Sequence, residues 1–338
     1  MNHHRPDGGF SNPWPAPARV PLGRALRRWR LERLRNGVAP NPAPGELPTA
    51  RPAVAQPRGA AGELRITWVG HSTFLVQAGA INVLTDPVWS RRVSPVSWAG
   101  PARLAPPGLD FDALPPLDAV LLSHDHYDHL DDRTVRRIVR RHPDVAWVAP
   151  LGLRSWLARR GATRIVELDW WQDEWLATPG GDLHVTATPA QHWSRRSLIA
   201  DPGRLWASFA LTVRAGPRVY FGGDSGYFPG FAEIGSRLGP FDAALLPIGA
   251  YAPRWFMRPM HMDPEEAVQA YLDLGGRGAF VAMHWGTFRL SDEPPLEPPE
   301  LLRQAWNAAA LPAEDLWILA HGETRVRRIR PVAASPAR

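Results

Sequence analysis

From Glu63 onward, apolar and polar positions fall into short, regular blocks that the first sixty residues lack. Residues 64–69 and 73–78 read as two strands joined at Gly70-His71-Ser72, and 81–84 as a third strand that stops at Thr85-Asp86-Pro87. The apolar run 119–122 has the length and content of a buried strand and ends abruptly at Ser123. Asp132 is then placed to cap a helix that carries Val135, Ile138 and Val139 on one face and ends near His142-Pro143. Further strands are predicted at 146–149, 164–168, 183–188, 208–213, 218–221, 243–247, 279–284 and 317–320, and helices at 151–160, 230–237, 264–273 and 298–309. Two batches of strands separated by helices imply an α/β sandwich, with two facing mixed β-sheets and the helices outside.

The chain divides into an Arg/Pro-rich extension (1–62), one large domain (63–330) and a tail (331–338). Within the extension only 22–35 has a helical pattern, with Leu22, Leu26, Trp29 and Leu34 sharing a face. The rest, including His3 and His4, is expected to be extended or mobile. Such a basic helix suits either an anionic membrane surface or packing onto the domain.

Composition narrows the chemistry. There is no cysteine, so disulfides, thiolate ligands and cysteine nucleophiles are excluded, and any metal must be held by histidine and carboxylate. No stretch reaches the roughly 18 apolar residues of a membrane span, and the N-terminus lacks a secretory apolar block, so a cytoplasmic protein, soluble or peripheral to the membrane, is expected. All 39 basic residues are arginine. Ten of them lie in residues 1–60 against only Asp7, Glu32 and Glu46, a net +7, which leaves the remainder near −1. A nearly neutral body argues against a nucleic-acid surface.

The chemistry is concentrated directly after the strand 119–122. His124, His126, Asp128 and His129 form an H-x-H-x-D-H cluster, four ligand-type residues within six positions. Histidine and carboxylate without thiolate suit catalytic Zn²⁺, or Mn²⁺ or Fe by the same ligand logic. Three later strands also stop at a ligand-type residue: 183–188 runs on to His192, 218–221 to Asp224 through Gly222-Gly223, and 279–284 ends at His284. Each alone is compatible with a packed polar residue, but the recurrence points to a shared site. His71, Asp86 and His321 lie beside strand ends, where either ligand orientation or ordinary turn hydrogen bonding explains them. His142 and His184 read as structural or exposed.

This order of ligands resembles the metallo-β-lactamase superfamily. Within that superfamily, residues 68–76 (WVGHSTFLV), 84–90 (LTDPVWS), 168–171 (LDWW), 247–268 (PIGAYAPRWFMRPMHMDPEEAV), 284–288 (HWGTF), 296–299 (LEPP) and 321–324 (HGET) resemble the N-acylphosphatidylethanolamine-hydrolysing phospholipase D family. The match spans about 63–326. Asp125 stands where animal members carry Asn, and Ser194-Arg195 where they carry Cys-Lys. The resemblance implies two Zn²⁺, one held by His124, His126 and His192, the other by Asp128, His129 and His284, with Asp224 bridging. It also implies that Tyr127 and His261 face the substrate phosphate, and that the products are phosphatidic acid and an N-acylethanolamine.

Two cations about 3.5–4 Å apart can acidify a bridging water to hydroxide and neutralise phosphate charge, which fits a phosphodiesterase. Asp128, Asp224 and His261 are the expected catalytic residues, with Tyr127 as a hydrogen-bond donor to the phosphate. Trp255, Phe256 and Met257 are expected to line an acyl-chain groove, in a stretch with no clear helix or strand pattern. A phospholipid is the expected substrate, with no nucleic acid as partner, and a homodimer stays open. Alternatives are the same machinery on a soluble phosphoester or lactone, or a nucleic-acid hydrolase or binder that uses the arginine-rich N-terminus. A non-catalytic scaffold would be marked by a missing ligand, and none of the seven is missing.

Overall fold

Strict alternation in the first strands sends successive side chains to two different cores. The computed structural model describes residues 2–14, 21–196 and 203–329, so the tail 331–338 lies outside the described residues. Among these, the strands are β1 (Glu63–Gly70), β2 (Thr73–Ala78), β3 (Ile81–Thr85), β4 (Ala119–Leu121), β5 (Ala146–Pro150), β6 (Arg164–Leu168), β7 (Asp173–Thr178), β8 (Gly181–Thr188), β9 (Ser208–Val213), β10 (Arg218–Phe221), β11 (Ala243–Pro247), β12 (Ala279–Met283), β13 (Leu316–Trp317) and β14 (Thr324–Arg328). The helices are α1 (Leu22–Asn36), α2 (Asp132–Arg141), α3 (Arg154–Ala158), α4 (Gly230–Leu238), α5 (Arg254–Met257), α6 (Pro264–Asp273) and α7 (Glu297–Ala308).

The strands form two seven-stranded mixed sheets, ordered β14-β1-β2-β3-β4-β5-β6 and β13-β12-β11-β10-β9-β8-β7. In β1 and β2, Leu64, Ile66, Trp68, Phe74 and Val76 enter one buried cluster with Leu183, Val185, Phe209 and Val219 of the second sheet. Leu75 of β2, pointing the other way, joins Leu84, Val120 and the α2 residues Val135 and Ile138. The first sheet is thus covered on both faces, as an α/β sandwich requires. Each fully buried Leu, Val or Phe contributes roughly 1.5–3 kcal/mol, so these two clusters carry most of the driving force for the fold.

The sandwich matches the expected class, and several elements differ in detail. Asp131, not Asp132, caps α2, accepting from the Arg133 N–H. Its carboxylate also takes the Ser90 N–H and hydroxyl and the Thr134 hydroxyl, which leaves Asp132 free to bind Arg136 and Arg160. Strands β7 and β14 escape the hydrophobic pattern because they are sheet edges: Leu176 is the one fully buried residue of β7, and Val326 in β14 is 42% exposed. α5 is a single turn within the stretch that shows no pattern in the sequence.

The N-terminal extension is more tied down than its composition suggests. Residues 3–11 fold back through a His4–Phe10 bridge, and the His3 and His4 Nε2 atoms bind the Asp169 carboxylate at 2.6 and 2.7 Å. Trp14 sits 4.6 Å from the Phe228 ring. Helix α1 packs through Trp29 and Arg33 on Asp292 and through Trp29 on Phe256, while Leu26, Leu31 and Leu34 are exposed. Among the described residues no helix is long and apolar enough to cross a membrane.

Candidate metal centre

The ends of β4, β8, β10 and β12 converge. The loop after β4 carries His124, His126, Asp128 and His129, and the segments that follow β8, β10 and β12 carry His192, Asp224 and His284. Close approach is built into the backbone: Gly223 has φ +55°, and a Cβ there would lie 2.6 Å from Ser123 Cβ, so only glycine lets the β10 end press against the β4 loop. His71, Asp86 and His284 also hold positive φ (57°, 31° and 64°) without being glycine. Such conformations are costly, and three of the seven found at non-glycine positions among the described residues lie here.

The donor atoms fall into two groups. The nitrogens of His124, His126 and His192 converge, His124 Nε2 lying 2.8 Å and His192 Nε2 3.3 Å from His126 Nδ1. The second group unites Asp128, His129 and His284 with His71. Asp224 stands between them: its Oδ2 is 3.2 Å from His129 Nε2, 3.7 Å from His192 Nε2 and 3.9 Å from His124 Nε2, and its Oδ1 is 3.1 Å from His284 Nε2. All seven of the candidate ligands are therefore brought together at one end of the two sheets.

The electrostatics differ between the two groups. Burial, reinforced by the neighbouring imidazoles, pushes His124 and His192 well below the usual histidine range, and burial also lowers His126. That group presents three neutral imidazoles with lone pairs to offer. Burial opposes charge on His129 and His284 as well, but Asp224 and Asp128 outweigh it, holding His129 well above its ordinary value and His284 up at about 9. The same contacts keep Asp128 and Asp224 well below the carboxylate range against the opposing effect of burial. This half is a buried anionic site that requires positive charge, supplied either by protons or by a metal that displaces them.

A metal fits on the chemistry of the donors. At the second group the buried atoms His129 Nε2, His284 Nε2 and Asp224 Oδ1 have no hydrogen-bond partner, which is unusual for buried polar atoms. Their neighbours are engaged as orienting contacts. Asp86 binds His129 Nδ1 at 2.6 Å, His71 Nε2 binds Asp128 at 2.9 Å, the Met260 carbonyl lies 3.0 Å from His192 Nδ1, and Ser123 Oγ lies 2.9 Å from His124 Nδ1. Fixing one ring nitrogen presents the other to a metal. Thus both His71 and Asp86 orient candidate ligands, whereas His321 stays one step away, bonded to Thr287, whose hydroxyl accepts the His71 backbone N–H.

The remaining expected residues divide. His261 borders the centre, with Nδ1 4.0 Å from Asp224 and without a hydrogen-bond partner. The Tyr127 hydroxyl donates to the Arg196 carbonyl at 2.9 Å, so a hydrogen bond to substrate requires that bond to break. Trp255 and Phe256 were expected to line a groove, but they are covered by the extension: Glu32 accepts from the Trp255 indole, Arg28 lies over its ring at 3.9 Å, and Trp29 packs on Phe256. Met257 is buried beside them. Asn12 has no signal in the sequence, yet its amide reaches the His192 carbonyl at 2.9 Å.

The family model described as "Beta-lactamase superfamily domain" matches residues 81–285, which contain all seven candidate ligands. The chain belongs to the metallo-β-lactamase superfamily of metal-dependent hydrolases. The hydrolase is 46% identical over 307 residues to an uncharacterized protein of Mycobacterium tuberculosis, which covers 88% of this chain and 78% of the relative. It is also 40% identical over 249 residues to N-acyl-phosphatidylethanolamine-hydrolyzing phospholipase D 1 of Caenorhabditis elegans, covering 72% of this chain and 69% of the relative. In fold it is similar to Igni18, a metallo hydrolase from Ignicoccus hospitalis, with a TM-score of 0.58 and 22% identity, over 79% of this chain and all of that one.

Proposed function

We propose that the hydrolase is a phosphodiesterase of phospholipase D type that cleaves N-acylphosphatidylethanolamine to phosphatidic acid and an N-acylethanolamine. The observation that carries this reading is the bridging position of Asp224 between two separate donor groups, taken together with the 40% identity to a relative named for that activity. Two Zn²⁺, one held by His124, His126 and His192 and the other by Asp128, His129 and His284, with Asp224 shared, would neutralise phosphate charge and acidify water.

The chain's own residues supply the rest. His261, partly buried at the edge of the centre with an unpartnered Nδ1, is placed to donate a hydrogen bond to a phosphoryl oxygen or to the leaving alkoxide. Asp86 and His71 hold the His129 ring and the Asp128 carboxylate in position. The arginines of α1 with its exposed Leu26, Leu31 and Leu34 support peripheral attachment to an anionic membrane.

The test is direct. Purified, zinc-loaded protein is mixed with vesicles of N-acylphosphatidylethanolamine, and both products are followed by mass spectrometry beside a soluble phosphodiester and a lactone. Release of phosphatidic acid and N-acylethanolamine is expected. Full metal content with turnover of only the soluble substrates would remove the lipid from this reading.

A further inference from the structure

Beside the metal loop lies a concavity that shares only Tyr127 with the residues expected at the substrate. It has a volume of about 490 Å³, within the range of small-molecule pockets. Its wall carries Arg91, Arg92, Arg133, Arg136, Arg160 and Arg196, together with Tyr127 and three serines, Ser90, Ser94 and Ser97. Four stretches far apart in sequence supply these groups: the loop after β3, the metal loop with the first turns of α2, the segment after α3, and the segment after His192.

The charge on this wall is not balanced from within. Asp131 and Asp132 are its only acids, so the six arginines leave a net +4. Asp131 is consumed by capping α2 and by Ser90, and Asp132 is shared between Arg136 and Arg160. Arg92 donates to the Gly100 carbonyl and Arg196 to the Asp125 carbonyl at 2.9 Å, neither of them a carboxylate. Arg91 and Arg133 have no ion-pair partner among the described residues, and both are exposed. Arg196, by contrast, is half-buried and sits 4.1 Å over the Tyr127 ring, next to the metal loop.

Even with Arg136 and Arg160 sharing Asp132, the guanidinium groups of this wall outnumber its acids and repel each other unless an anion lies among them, and a planar guanidinium pairs best with carboxylate or phosphate. A phosphomonoester is the better match, because it is close to a dianion with three equivalent oxygens that can accept several forks and hydroxyls at once. We infer that this arginine-lined cavity is a binding site for a phosphomonoester group, separate from the metal centre and joined to it through Tyr127 and Arg196. This site does not depend on which ester the metals cleave. The group reaches it either on a soluble phosphate ester or as the headgroup of a lipid such as phosphatidic acid.

The experiment uses the full, metal-loaded chain. Binding of glycerol 3-phosphate is measured by calorimetry, and co-flotation is measured with phosphatidylcholine vesicles with and without phosphatidic acid. The same measurements are made on the Arg91→Gln/Arg133→Gln double variant and on Arg140→Gln, an exposed arginine of α2 outside the cavity wall. The double variant is expected to bind at least about tenfold more weakly, each lost charge-assisted contact being large enough for that, with metal content unchanged. Arg140→Gln should bind as the parent does. Loss with glycerol 3-phosphate identifies a site for soluble esters, and loss confined to vesicles identifies a headgroup site. The inference is overturned if neither probe binds, if binding survives in the double variant, or if Arg140→Gln weakens binding as much.

Discussion

Asp86 Oδ2 meets His129 Nδ1 at 2.6 Å, with both side chains fully buried. The same carboxylate accepts the Ser123 N–H at 2.7 Å and its hydroxyl at 2.5 Å, so one residue at the end of β3 fixes both the base of the metal loop and one ring within it. The contact commits Nδ1 and aims Nε2 at Asp128 and Asp224.

Replacing Asp86 with Asn keeps the shape but leaves one acceptor oxygen where the carboxylate supplies two, so the Ser123 N–H and the His129 ring N–H can no longer both be satisfied. Metal affinity should fall about 10–100-fold, the range usual for such supporting contacts. Competition with a chelator measures it. An affinity equal to the parent's would show that His129 is held by packing alone.

Asp224 lies within 4 Å of ring nitrogens in both donor groups, so its loss is felt by both. Asp224→Ala is expected to deplete both metals, whereas His126→Ala should deplete only the ion of its own group. Metal-to-protein ratios after dialysis separate the two cases. If Asp224→Ala retained a full complement, the shared position seen here would have no role in binding.

His261 borders the centre without being needed to complete either donor set. His261→Ala should therefore keep its metals and lose turnover by about 10²-fold or more, the scale of one acid–base contribution. Unchanged turnover would take His261 out of the reaction, and lost metal would make it a ligand.

Why some of this was legible from residues alone is a matter of where each residue sits. His124, His192, Asp224 and His284 each follow a run of apolar residues, and a buried strand that stops at a histidine or carboxylate announces its purpose. The two sheets were legible for a similar reason, since inward residues such as Leu64, Ile66 and Trp68 recur with period two. The edge strands β7 and β14 bury too little for periodicity to register. The arginine cavity is invisible in sequence because Arg91, Arg133, Arg160 and Arg196 come together only in the folded chain, and in a protein whose every basic residue is arginine none of them stands out. The cover over Trp255 is hidden for the same reason, because Glu32 and Arg28 lie more than two hundred residues away.

Asn12 ties the extension to the centre, donating to the His192 carbonyl while accepting from the Trp206 indole at 3.1 Å. One such hydrogen bond contributes about 1 kcal/mol, so Asn12→Ala should weaken metal binding roughly fivefold. Chelator competition reads this out. An unchanged affinity would mean that the extension docks beside the centre without supporting it.

His142, at the end of α2, provides a pH test clear of the metal ligands. Its ordinary value near 6.5 is pulled down to about 4, first by burial and then by the Arg141 charge. Its Nδ1 lies 3.5 Å from the Leu117 N–H, at the limit of a hydrogen bond that only the neutral ring can accept. Above pH 6.5 the ring is neutral whether the chain is folded or not, and stability is unaffected. As pH falls from 6.5 toward 4 the unfolded chain takes up a proton that the folded chain refuses, so stability is lost across that window and the loss is complete below it. The slope is at most about 1.4 kcal/mol per pH unit, reduced because the ring is only half-buried. In denaturant titrations His142→Asn should therefore lose less stability than the parent between pH 6.5 and 4, while above pH 6.5 the gap between the two stays constant. Parallel curves through the acid window would show that the ring titrates alike in both states.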